Sequence, residues 1–306
     1  MSQTILLVGG TGTTATPLVK QLLSTTNATL ILTSRKGASG IPSSVVECAS
    51  QNSASDRLKA VLFDWGNSKT WGNPFTVTET VDAMYLIHPV YSTVVQDPNS
   101  VLNQAVKRGI RRVVLMSATV CEKGGYATGK THKYLEELRD QGKLKEFSVV
   151  RPSWFYTNLT AGYDSYIRDQ DMLVSAAEDG KLGWVGPEDI ADAVYDALVV
   201  PGEELCEDYI ITGPELLSYD DVTTLLTETL SRKITHRRIS ASDFGSSDYS
   251  KMMGDLDRQI AGGLEERIFA LKDVAPKNGK GGLKRWVGTR PLKEYIEANK
   301  ECWKRG

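Results

Sequence analysis

The chain predicts an α/β fold, a doubly wound parallel sheet with a small, mostly helical C-terminal lobe. Three observations lead there. Short apolar runs alternate with helical patterns through the first half, a glycine-rich turn joins the first run to the first helix, and the second half becomes mainly helical. Alternation of this kind buries parallel strands between helices on both faces.

In chain order, strands are expected at residues 4–8, 29–33, 60–63, 83–87, 112–116 and 147–150, each an apolar run close to turn or polar residues. Helices are expected at 13–23, 98–107 and 131–139. Residues 67–82 are polar and poorly periodic and read as a surface loop. Gly186-Pro187-Glu188-Asp189 opens a helix with Pro in its first turn and Ile190, Val194 and Leu198 on its apolar face. A late strand at 209–211 joins the sheet, and Ser218 caps a helix over Tyr219–Leu230. The remainder, 243–306, reads as mostly helical, broken by Gly262-Gly263 and by the Lys/Gly-rich run 277–282. The expected division is a core of 1–152, completed by 184–212, and a lobe of 153–183 with 213–306.

With 306 residues, 41% apolar and 24% charged, the chain has the composition of a soluble globular protein. A formal net charge of −2 offers no basic field for nucleic acid or an anionic membrane. Cys48, Cys121, Cys206 and Cys302 have no paired spacing, so neither a metal site nor a disulfide framework is expected, and a reducing compartment fits. The first ten residues read as a strand and not as a signal peptide, and no run is long enough to span a bilayer. A cytoplasmic protein is expected, as a monomer or a homodimer.

The strongest motif is Gly9-Gly10-Thr11-Gly12-Thr13-Thr14-Ala15, set between the first strand and the first helix. Its spacing is G-x-x-G-x-x-A, counted from Gly9, Gly12 and Ala15. A dinucleotide needs a sharp strand-to-helix turn, a backbone bare enough to approach the pyrophosphate, and the free N–H groups of a helix start. That combination predicts a Rossmann-type cofactor site. The second strand ends Thr33-Ser34-Arg35-Lys36. An NAD site would place a carboxylate there; Arg35, with Lys36, instead suits a 2′-phosphate and points to NADPH/NADP+. Thr33 and Ser34 offer hydroxyls. Asp64, after the third strand, either accepts from the adenine amine or opens the next turn. His88-Pro89 follow the fourth strand and fall beside the expected nicotinamide ribose.

Carbonyl reduction on this fold commonly uses Ser, Tyr and Lys, with Lys four residues after Tyr on one helix face. Ser117 ends the fifth strand, and Tyr126-x-x-x-Lys130 matches the spacing. Gly124, Gly125 and Gly129 argue against a rigid helix under that pair. His132 and Glu136, four apart on the following helix, either orient each other or a substrate, or belong to a surface ion-pair ladder. After the sixth strand, Pro152 breaks regular pairing, and Trp154, Phe155 and Tyr156 face either the core or a flat apolar pocket.

Together, Gly9-x-x-Gly12-x-x-Ala15, the basic residue after the second strand, Arg151-Pro152-Ser153-Trp154-Phe155 with Asn158, and Val185-Gly186-Pro187-Glu188-Asp189-Ile190-Ala191 resemble the NmrA-like branch of the atypical short-chain dehydrogenases. The resemblance continues through 209–215, 217–222 and 290–296, and so covers nearly the whole chain. Within that branch the chain is most similar to the fungal ergot-alkaloid dehydrogenases of the festuclavine/agroclavine type. The resemblance implies a Rossmann core with a small substrate lobe, NADPH, and an indole-alkaloid imine or iminium as substrate. It also implies that Ser, Tyr and Lys are not required, since hydride delivered to an iminium carbon leaves no alkoxide to protonate. Such a site needs orientation, an apolar wall (Trp154, Phe155, Asn158) and a carboxylate for the cation, for which Asp164 and Glu178 are candidates. Two alternatives share the fold: an NADP(H)-assisted intramolecular [4+2] cyclase of indole alkaloids, and a non-catalytic NADP(H) sensor.

Overall fold

The computed structural model describes residues 3–89, 93–244, 248–277 and 280–305. The first half alternates as β1 (Thr4–Val8), α1 (Ala15–Thr25), β2 (Thr29–Ser34), α2 (Ser43–Gln51), β3 (Leu58–Leu62), β4 (Ala83–Leu86), α3 (Val101–Lys107), β5 (Arg112–Met116), α4 (Thr128–Asp140) and β6 (Glu146–Pro152). There follow α5 (Asn158–Ala161), α6 (Asp164–Gln170), β7 (Met172–Ser175), β8 (Lys181–Leu182), α7 (Pro187–Val199), β9 (Asp208–Thr212), β10 (Leu217–Ser218) and α8 (Tyr219–Leu230). The chain closes with β11 (Thr235–Arg238), α9 (Asp248–Ala261), α10 (Leu264–Phe269), β12 (Leu283–Val287) and α11 (Leu292–Asn299).

One sheet has the strand order β12-β9-β6-β5-β4-β1-β2-β3. Every pairing from β3 through β2, β1, β4 and β5 to β6 is parallel. This is the doubly wound α/β architecture that the sequence predicts. Central strands buried on both faces need continuous apolar runs, and Ile5 to Val8 are all fully buried.

The chain forms two compact units. The first comprises Met1–Arg151, Ile190–Tyr209 and Asp273–Lys284, the second Pro152–Asp189, Ile210–Lys272 and Arg285–Gly306. In the first, α1 buries Leu18, Val19, Leu22 and Leu23 along one stripe. Its C-terminal carbonyls are closed by Arg57, which donates to Leu23, Thr26 and Ala28 oxygens at 2.9–3.1 Å. Buried Arg112 ties three elements together. It donates to Glu146 at 2.7 Å and to the Ala197 and Leu198 carbonyls at the end of α7. Burial alone would raise the Glu146 pKa, but Arg112 and Arg111 outweigh it and hold the carboxyl below its ordinary value.

In the second unit β7 pairs with β11 in parallel and β8 with β10 antiparallel, beside a core containing Trp184, Tyr219, Leu226, Ile260 and Trp303. Ser218 caps α8 as expected, in a reciprocal box with Asp221.

Several elements differ from the sequence reading, among them the short strands β7, β8, β10 and β11 of the second unit. α2, which buries only Val45 and Ala49, has no counterpart in that reading. β12 falls where a helical pattern was expected; its half-buried residues are recruited by the sheet edge. α4 starts three residues before 131 and contains Gly129, which the sequence reading held against a helix. A Cβ at Gly129 would collide with the Glu122 carbonyl oxygen, so the glycine lets the first helical turn press against that loop.

Candidate active site

Within the first unit, β1 lies between β2 and β4. The chain winds outward to β3 and returns on the other side of β1. The crevice beyond the C-terminal ends of β1 and β4 is therefore the topological switch point, where open α/β sheets bind ligands. The glycine turn leaves β1 there, and Ile87-His88-Pro89 leave β4.

The glycines of the turn meet specific steric demands. Gly9 has φ +82°, and a Cβ on it would lie 3.2 Å from Ile87 Cβ. A Cβ on Gly10 would lie 2.9 Å from both the Leu7 carbonyl oxygen and Leu32 Cδ2. The turn is closed by hydrogen bonds from the Gly10 amide to Leu7, from the Gly12 amide to Gly9 and from the Thr16 amide to Gly12, at 3.0–3.1 Å. The amides of Thr11, Thr13 and Thr14 take no backbone partner among the described residues. Gly12 and Thr13 are exposed, and Thr14, the α1 N-cap, makes no side-chain cap. This uncapped, bare helix start fits a pyrophosphate.

Several of the hydroxyls named from sequence have other partners. Thr14 Oγ1 meets Tyr85 Oη at 3.2 Å in the core, so Thr14 offers a ligand only its backbone. Burial pushes the Tyr85 phenol pKa up, which keeps it neutral. Thr33 Oγ1 accepts from the Gly9 amide at 2.9 Å, and Ser34 Oγ accepts from the Lys36 amide at 3.1 Å. Both shape the loops around the crevice. Arg35 and Lys36 are exposed, and their side chains make no hydrogen bond or ion pair with any described residue. That leaves both cations available to a phosphate.

Asp64 opens the next turn, the second of its two expected roles. Its Oδ1 accepts from the Gly66 amide at 2.9 Å and so closes the next turn, while Oδ2 has no hydrogen-bond partner among the described residues. Beside it stands Trp65, which the sequence reading passed over. Its indole donates to the Ile87 carbonyl at 3.0 Å, and its ring meets His88 edge-on at 6.4 Å. A tryptophan directly after the candidate adenine carboxylate was the available signal.

His88 is buried and doubly held. Its Nδ1 lies 2.9 Å from the Pro89 carbonyl oxygen, which can only accept, so Nδ1 carries the proton and Nε2 accepts from Thr131 Oγ1 at 3.0 Å. Burial lowers its pKa, so the ring is neutral and serves as a bolt between β4 and α4.

Around β5, Ser117 is half-buried at the strand end, and its Oγ shares a 2.7 Å hydrogen bond with Thr128 Oγ1. The Tyr126–Lys130 pair does not share a helix face. Tyr126 precedes α4 and is 42% exposed, Ala127 at the helix start has φ +51°, and Lys130 is exposed on the helix. His132 and Glu136 are not brought together either. The His132 ring is buried against Phe147 at 5.9 Å, where burial lowers its pKa to about 4. Glu136 instead pairs with Lys123 at 2.6 Å and Arg139 at 3.9 Å, the surface ladder.

In the second unit, Pro152 is buried and Ser153 Oγ donates to buried Glu265 at 2.6 Å. Trp154 and Phe155 are half-buried, and the Trp154 indole N–H is buried without a hydrogen-bond partner among the described residues. Tyr156 turns into the core instead, 2% exposed and packed on Tyr295. Asn158, half-buried, opens α5. Asp164 is paired with Arg168 at 3.7 Å on the surface and Glu178 is exposed, so neither is a buried counter-charge for a cation.

The same unit holds a line that resembles a hydrolase triad. Ser175 Oγ lies 2.8 Å from His236 Nε2, and His236 Nδ1 lies 3.2 Å from Asp220 Oδ1. Ser175 and the His236 ring are wholly buried, which denies an acyl group any approach. The line instead joins β7, β11 and α8.

No family model matches the chain. It is 30% identical to the agroclavine dehydrogenase of Claviceps fusiformis over 98% of both chains. It is 30% identical to the festuclavine dehydrogenase of Aspergillus fumigatus over 99% of both. Among solved structures, the triphenylmethane reductase of Citrobacter sp. in complex with NADP(H) superposes with a TM-score of 0.66 at 17% identity, covering 96% of this chain and 99% of that one.

Proposed function

The chain belongs to the family of the festuclavine and agroclavine dehydrogenases, and from that premise we propose that it is an NADPH-dependent oxidoreductase acting on an imine or iminium of a prenylated indole alkaloid. The observation that supports the cofactor best is the pairing of a side-chain-free turn at Gly9 and Gly10 with the exposed cations Arg35 and Lys36 one strand away. In this reading the amides of Thr11, Thr13 and Thr14 take the pyrophosphate and Arg35 and Lys36 the 2′-phosphate. Asp64 Oδ2 accepts from the adenine amine, while Ser117 and the segment at His88 and Pro89 orient the nicotinamide ribose. Bound NADPH would supply the hydride.

An iminium carbon that takes a hydride forms one C–H bond while the C=N electron pair moves onto nitrogen. The product is a neutral amine, and no oxyanion needs a proton. Tyr126 before α4 and Lys130 on it are compatible with that chemistry, which needs no tyrosine–lysine pair on one helix face. The half-buried rings of Trp154 and Phe155 are proposed to carry the indole, with the Trp154 N–H as a polar contact.

The test is incubation of the purified chain with NADPH and a prenylated indole iminium, following both cofactor absorbance and product mass. Stoichiometric NADPH consumption with a gain of two hydrogens over the corresponding imine supports the reading. A cyclised isomer with no net consumption identifies a redox-neutral cyclase, and tight NADPH binding without any product identifies a sensor.

A further inference from the structure

Two threonines in the first turn of α4 tie that helix to the C-terminal ends of β4 and β5. Thr131 donates to His88 Nε2, a direction fixed by the Pro89 carbonyl at the other ring nitrogen. Thr128, three residues earlier, shares the 2.7 Å bond with Ser117 Oγ, in which either oxygen can donate. Ser117 is half-buried while Thr128 is buried, so the serine hydroxyl is the member of the pair within reach of a ligand. The local backbone is shaped around this contact: Ala127 sits at φ +51°, and Gly129 lacks the Cβ that would collide with Glu122.

We propose that Thr128 is a positioning residue for Ser117, holding its hydroxyl toward the nicotinamide-ribose end of the dinucleotide. The inference rests on the NADP(H) reading above. Ribose hydroxyls and the carboxamide each donate and accept hydrogen bonds. A partner that exchanges donor and acceptor roles lets Ser117 answer either, whereas an unpartnered serine rotor would lose orientational entropy on binding. The Thr128 side chain is itself stiff, being β-branched, buried and in a helix.

Calorimetric titration with two ligands tests this, because only one of them has a nicotinamide end. NADPH carries it; adenosine 2′,5′-bisphosphate carries only the adenine and 2′-phosphate end. Thr128→Val should weaken NADPH about five- to tenfold, the worth of one hydrogen bond, and leave the bisphosphate within about twofold. Thr128→Ser should restore NADPH binding. Ser117→Ala should match Thr128→Val, and the double variant should lose no more than either alone. Equal weakening of both ligands, unchanged NADPH binding in Thr128→Val, or additive losses in the double variant would overturn the inference while leaving the cofactor reading intact. Failure of the unaltered chain to bind either ligand would overturn both.

Discussion

Arg35 stands where the second strand releases the chain, and its neighbours explain why it is available. Ser34 beneath it is occupied by the Lys36 amide, and the guanidinium is exposed without a described partner. Arg35→Ala should therefore raise the Kd for NADPH about tenfold or more, the scale of a charge-assisted hydrogen bond, and leave NADH binding unchanged. Parallel titrations of the two cofactors measure this, and equal losses for both would remove the 2′-phosphate assignment. Tyr126 makes the opposite case. It lies outside α4 and is 42% exposed, so Tyr126→Phe should keep turnover within about twofold of the unaltered chain. A near-complete loss in steady-state assays would return it to the role its spacing suggests.

At the scale of elements, the β1–α1 turn and the Arg112 tie make distinct demands. Gly10→Ala must fit a methyl against Leu7 and Leu32, at a cost of about 1–3 kcal/mol in stability, and should abolish detectable NADPH binding. Arg112→Ala leaves Glu146 buried without its nearest cation and strips two α7 carbonyls of their donor, which predicts a loss of about 3–5 kcal/mol by urea unfolding. Elements of this kind were legible in sequence to very different degrees. The first, fifth and sixth strands and the α8 cap could be read because apolar runs and a Ser-x-x-Asp box are local signals. The glycine turn was legible for the same reason. Thr128 and Thr131 were not, because their role depends on which strand ends lie under α4, and Gly129 reads locally as a helix breaker. The Tyr126-x-x-x-Lys130 match has the same origin, since spacing on one face has meaning only once the helix boundary is known, and α4 begins after Tyr126. The Trp65–Ile87 and Ser153–Glu265 contacts likewise join segments far apart in the chain, whose proximity exists only in the folded molecule.

Across the whole molecule, two buried groups titrate in opposite directions. Asp257 on α9 accepts from the Ala176 amide at 2.6 Å, but its Oδ1 is buried without a partner, and burial raises its pKa to about 6. The folded state thus binds this proton more tightly than the unfolded chain. Its stabilising effect is full below the ordinary carboxylate pKa and is lost as pH rises through about 6, an effect of about 3 kcal/mol. His132, with its pKa lowered to about 4, acts oppositely and withdraws stability as pH falls below the ordinary histidine value. Asp257→Asn should then gain stability over the unaltered chain above pH about 6 and lose that advantage near pH about 4, measured as the difference between urea midpoints. A difference independent of pH would show that Asp257 does not titrate in this range. The central claim concerns what the dinucleotide is used for, and isotope transfer tests it most directly. The chain is mixed with a prenylated indole iminium and NADPH deuterated at the transferable position, and the product is weighed. The proposed reductase gives an amine carrying one deuterium per NADPH consumed; an isomer of the substrate with the label still on the cofactor would contradict it.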